Sequence, residues 1–168
     1  MRASQFCICA CILLSALTSS TRGQADAEPS RVSLCELYQH PEQYSGKIVR
    51  VRASVSGNDL SLDDFSERQP CSAYMRVHLE LPESVGPKPG FDLVRDDTLN
   101  ELFDALHKGM NVIATYDGRF DPAFVWHAHK REPVGQGQPK GYGKKQRYDG
   151  RIVLQRVADV VARPMPRR

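Results

Sequence analysis

The chain has 168 residues, 40% of them hydrophobic and 26% charged, with a formal net charge of +3. This length suits one domain with a modest core, and these fractions are those of ordinary globular proteins, which excludes a fibrous or wholly disordered chain. So small a net charge also excludes a strong electrostatic footprint spread over the whole molecule, leaving only local basic clusters to consider.

The chain opens with Arg2 and a nearly continuous apolar run from Phe6 to about Ala16, followed by the small and polar LTSSTRGQADA. That order predicts a secretory signal peptide over residues 1–25. The run is shorter than the ~20 apolar residues of a spanning helix, and no second run of that kind follows. The expectation is an exported protein, periplasmic or secreted, with no transmembrane segment once the leader is removed. Cys7, Cys9 and Cys11 leave with the leader, so Cys35 and Cys71 remain. In an oxidising compartment they most simply form one disulfide, the alternative being two buried thiols. Such a bridge closes a loop of roughly 36 residues and contributes on the order of 3–4 kcal/mol by loop entropy.

Residues 26–31 read as a flexible linker. Ser33 and Glu36 form a capping-box pattern, and Leu34, Leu37 and Tyr38 recur at helical spacing, predicting a short helix to about His40. Pro41 predicts a break or a new turn there. The first strand follows over 47–55, with Val49, Val51, Ala53 and Val55 on one face and Arg50 and Arg52 on the other. A second strand carries Leu60, Leu62 and Phe65. A third covers 73–81, where Met75, Val77, Leu79 and Leu81 alternate with Arg76, His78 and Glu80. Asp96 or Asp97 caps a helix to about Lys108 with the stripe Leu99, Leu102, Phe103 and Leu106, and Gly109 ends it. The fourth strand spans 110–120 with Val112, Ala114 and Tyr116 on one face. The fifth spans 151–161, and the tail from 163 is frayed.

Five strands with one helix between the third and fourth is the connectivity of the OB-fold. A sandwich needs about seven strands, and repeated βαβ units would place helices between most strands. The predicted class is therefore mainly β with some α: a five-stranded OB-like barrel over residues 32–162, preceded by a short N-terminal helix. The pattern Leu34-Cys35-x-Leu37-x3-Pro41-x2-Tyr44-x-Gly46-Lys47-x-Val49-Arg50-Val51 resembles secreted bacterial OB-fold proteins of the tRNA-anticodon-binding-like kind. The later Ala114-Thr115-Tyr116-x-Gly118-Arg119-Phe120 is similar to that group's fourth strand, and Ile152-Val153-Leu154-Gln155-x-Val157 to its fifth. The resemblance implies a fold and carries no catalytic residue onto this chain.

Residues 121–149 are the predicted binding loop, since the connection between strands four and five borders the ligand face of OB domains. Aromatic and cationic residues interleave there: Trp126, Lys130, Arg131, Tyr142, Lys144, Lys145 and Tyr148. Such a set suits stacking on bases or sugar rings and pairing with anions, and it equally suits a solvated loop. His127 and His129 form an H-x-H pair, but no third or fourth ligand stands at a familiar offset, so no metal and no cofactor are expected. No nucleophile triad or phosphate loop is present. The leading expectation is a non-enzymatic binding module for an anionic ligand, a carbohydrate or an envelope protein. Nucleic-acid binding is the first alternative. A secreted hydrolase or nuclease, drawing on Arg50, Arg52, Asp63 and Arg119, is the second.

Overall fold

Ser33 starts the first helix through a reciprocal pair of bonds: its Oγ accepts the Glu36 amide at 3.1 Å, and its own amide donates to Glu36 Oε2 at 2.7 Å. The computed structural model describes residues 28–56, 60–64, 76–127, 130–133 and 141–164. Within the expected linker, Ser30–Arg31 forms a short strand, β1, and α1 follows over Leu34–Gln39. Pro41 does more than break α1. It occupies the first position of a one-turn helix, α2 (Pro41–Tyr44), where the amide that proline lacks would have no helical partner. Gly46 then turns the chain at φ +72°, a left-handed conformation that glycine adopts without strain.

The strands β2 (Ile48–Ser56), β3 (Ser61–Asp64) and β4 (Val77–Glu80) precede helix α3 (Asp97–His107). After it come β5 (Asn111–Pro122), β6 (Phe124–His127), β7 (Lys130–Pro133) and β8 (Gly150–Arg163). β2 pairs antiparallel with both β3 and β5, β3 pairs antiparallel with β4, β4 runs parallel to β8, and β8 returns antiparallel to β5. The order β2-β3-β4-β8-β5 therefore closes on β2, giving the five-stranded OB-like barrel with α3 between its third and fourth strands. β1 adds to the outer edge of β2 in parallel, with Arg31 opposite Arg50.

Period-two alternation fills the interior. Val49, Val51, Ala53 and Val55 of β2, Val77 and Leu79 of β4, and Val112, Ala114, Tyr116 and Phe120 of β5 are buried in one cluster with Ile152, Leu154 and Val157 of β8. Helix α3 adds Leu99, Leu102, Ala105 and Leu106 to that cluster, and α1 adds Leu34 and Leu37. Asp96 caps α3 by accepting the Leu99 amide at 3.0 Å, and Gly109 ends it at φ +69°. Bulges in the β5–β8 pairing fall at Ile113/Thr115 and at Asp117/Gly118. At the second bulge β8 passes so close that a Cβ on Gly118 would collide with the Val153 carbonyl oxygen and sit 2.6 Å from Ile152 Cγ2.

The connection expected as one long loop holds its own structure. β5 runs on to Pro122, β6 and β7 form an antiparallel hairpin, and Tyr142 and Tyr148 pair as an isolated bridge. Ala123, Tyr142 and Tyr148 make a small satellite core, with Phe124 packed against it. Aromatic residues that look like a binding surface in sequence thus pin this connection to the barrel. Residues 1–27 and Cys71 lie outside the described residues, so the leader and the Cys35–Cys71 bridge do too. Cys35 is disulfide-bonded, and Gln39 Nε2 approaches its sulfur at 3.6 Å. Among the described residues no helix is long and apolar enough to cross a membrane.

Candidate ligand-binding site

Strand pairing assembles a row of charges across the outer face of four neighbouring strands. Arg31 of β1 lies opposite Arg50 of β2, Arg50 opposite Asp117 of β5, and Asp117 opposite Arg156 of β8. Neighbouring strands are about 4.8 Å apart, so the row extends over roughly 14 Å. The next row places Arg52 opposite Thr115 and Thr115 opposite Ala158. Both rows line an open groove of about 660 Å³, with Val32 and Ala158 as apolar wall.

Asp117 anchors the middle of this groove. Its two oxygens accept Arg50 Nε at 2.7 Å and Nη2 at 2.8 Å, a bidentate fork that fixes the guanidinium plane. Glu28 accepts Arg50 Nη1 at 3.1 Å. Together these carboxylates hold the Arg50 pKa well above the ordinary arginine value, the Asp117 bond first, so its charge is permanent. Arg52 Nη1 donates to Thr115 Oγ1 at 3.2 Å, and that hydroxyl donates to Asp159 Oδ2 at 3.0 Å. Asp159 reaches this position from a left-handed backbone, φ +52°, at the bulge in β8. Arg52 itself stays 3.9 Å from Asp159 and is half exposed. Arg31 and Arg156 are exposed and pair with no carboxylate among the described residues.

The predicted loop residues fall elsewhere. Trp126 opposes Arg131 and His127 opposes Lys130 on the β6–β7 hairpin, and Lys144 opens a short 3-10 turn; only their backbones are described. Lys145 is exposed. Tyr142 and Tyr148 are 8% and 9% exposed, their rings committed to the satellite core. His78 stacks on Tyr148 with ring centroids 4.9 Å apart, and Arg151 lies over the Tyr142 ring at 4.6 Å. His129 lies outside the described residues, among which no three His, Cys, Asp or Glu side chains are arranged to hold a metal.

The arginine groove was only half visible in the sequence. Arg50 and Arg52 stand out as polar positions opposite an apolar strand face, but their neighbours come from residues 31, 115–117 and 156–159. Nothing in the one-dimensional pattern brings those segments together; the strand order and the register shift at the β8 bulge do so. Comparisons with protein-family models, with curated proteins and with solved structures find no match for the chain.

Proposed function

We propose that the chain is an exported, non-enzymatic OB-like binding module that takes an anionic polymer, such as an acidic glycan, across the outer face of β1, β2, β5 and β8. The observation that carries this reading is the groove's charge. It gathers Arg31, Arg50, Arg52 and Arg156 around Asp117 and Asp159, and its outermost arginines are free to pair. Export is supported by the signal-like leader and by the disulfide state of Cys35. A binding role, rather than catalysis, is supported by Asp117, whose two oxygens are already given to Arg50. An acidic glycan fits better than single-stranded nucleic acid, because the described residues of the groove lining include no aromatic ring on which a base could stack.

Calorimetric titration with heparin, alginate and a single-stranded oligonucleotide tests the proposal. An acidic glycan is expected to bind more tightly than the oligonucleotide, and more weakly as salt rises, because the contacts are exposed ion pairs. Replacing both Arg31 and Arg156 by Glu is expected to weaken binding at least about tenfold, a loss of about 1.4 kcal/mol. No binding by either glycan, or affinity unchanged in the double variant, refutes the assignment.

A further inference from the structure

A second concavity lies on the same barrel, at the connection between β5 and β8. It has a volume of about 560 Å³, within the range of small-molecule pockets. Its polar floor is a chain of four linked side chains. Asp121 accepts Arg119 Nε at 2.8 Å and Nη2 at 2.9 Å, and also Arg151 Nε at 3.0 Å. Arg151 Nη1 in turn donates to Glu80 at 3.0 Å. The four side chains are only 17–24% exposed. Two cations and two carboxylates cancel on this floor, in contrast to the arginine groove.

Hydrogen-bonding capacity nonetheless remains. Arg119 Nη1, Arg151 Nη2 and one Glu80 oxygen have no partner among the described residues, which leaves donors and an acceptor on one small floor. The walls have a different character. Pro87 supplies exposed apolar surface with Pro122 and Tyr142 buried behind the wall, and Gly46, Gly86, Gly141 and Gly143 put no side chain across the opening. A Cβ on Gly86 would meet nothing within 4 Å, so this side of the pocket is open space. A pyranose has the same division: a hydroxyl edge that needs donors and acceptors side by side, and C–H faces that need apolar contact.

We infer that this pocket is a binding site for a neutral saccharide unit, separate from the anion groove. Its floor of Arg119, Asp121, Arg151 and Glu80 holds vicinal hydroxyls, and Pro87 covers a C–H face. These charged side chains keep their geometry when a neutral ligand arrives, because each is already held by its neighbour. An acidic sugar would upset the charge balance of the network and leave one of its carboxylates facing another anion.

Titrating the full chain with maltose, N,N′-diacetylchitobiose and glucuronic acid, while following backbone amide resonances, tests this inference. Saturable movement of the Gly46, Gly86, Gly141 and Gly143 amides is expected with at least one of the neutral disaccharides, and a weaker response with glucuronic acid. Ser45→Trp adds a ring to an exposed residue of the rim, where it blocks the opening or stacks on the sugar, and is expected to change affinity at least about tenfold. Arg119→Lys keeps the charge but removes the unengaged amino group together with the two-bond fork to Asp121, and is expected to reduce affinity. The Arg31→Glu/Arg156→Glu variant is expected to bind neutral disaccharide normally, which separates failure of this site from failure of the groove. No saturable shift with either disaccharide overturns the inference, as does binding unaffected by Ser45→Trp and Arg119→Lys, or glucuronic acid binding more tightly than both.

Discussion

Asp117 and Tyr116 are neighbours on β5 with opposite orientations and opposite energetic roles. Asp117 faces the groove and satisfies Arg50 with two charged bonds, each shorter than 3 Å. Removing it leaves a half-buried guanidinium with only Glu28, so Asp117→Ala is expected to destabilise the fold by about 2 kcal/mol. The same change adds net positive charge to the groove, so affinity for an acidic glycan should rise while stability falls. Urea melts and calorimetry on one preparation read both signs; a loss in both would make Asp117 part of the ligand contact. Tyr116 faces the interior, fully buried, and its hydroxyl has no hydrogen-bond partner among the described residues. Burial pushes that hydroxyl above the ordinary tyrosine range. Below about pH 10 folded and unfolded chains both keep the proton, and above it the unfolded chain releases it first, so stability falls as pH rises. Tyr116→Phe is therefore expected to gain about 1 kcal/mol near neutrality and to lose less of its stability in alkali. Denaturant midpoints on either side of that pH give the comparison.

At the scale of elements, what the sequence announces is what local chemistry decides. Ser33 with Glu36 and Asp96 before Leu99 mark two helix starts, and the structure places both caps there. Alternation marks β2, β4 and β5 because each has one face in the barrel and one in solvent. α2 escapes the reading since Pro41 signals both the end of a helix and the first residue of another. The β6–β7 hairpin escapes it because its segments, FVWH and KREP, lack clean alternation. Gly118 has no local signal either, since its need for a bare Cα comes from β8, more than thirty residues away. Gly118→Ala is accordingly expected to destabilise by about 3 kcal/mol, the upper range for overpacking, because the obstacle is the Val153 backbone carbonyl and not a mobile side chain. Asp96→Ala should lower stability by only about 1 kcal/mol, the usual loss for one helix cap. Thermal melts of the two variants side by side test the ranking, and a Gly118→Ala protein as stable as Asp96→Ala would mean that the bulge relaxes.

For the whole molecule, closure of the barrel decides which residues meet, and that is why the fold is more legible than its surface. Five apolar strand faces can share one interior in few ways, so the interior follows from the pattern. The outer faces are polar nearly everywhere, and only the order β2-β3-β4-β8-β5 brings Arg31, Arg50 and Arg156 into one groove and Glu80, Asp121 and Arg151 into another. Closure also bears on stability in a barrel this small. Cys35 is disulfide-bonded, and every other cysteine of the chain lies outside the described residues. The partner expected from the sequence is Cys71, between β3 and β4 in chain order. That bridge would enclose α2, β2 and β3 in one covalent ring and restrict the unfolded chain more than the folded one. Cys71→Ser is then expected to lower stability by about 3 kcal/mol under oxidising conditions. Reductant should bring the unmodified protein down to the level of the variant and leave the variant where it is. A reductant effect of equal size in both proteins would assign the partner of Cys35 to another cysteine and remove the covalent ring from the account of the barrel's stability.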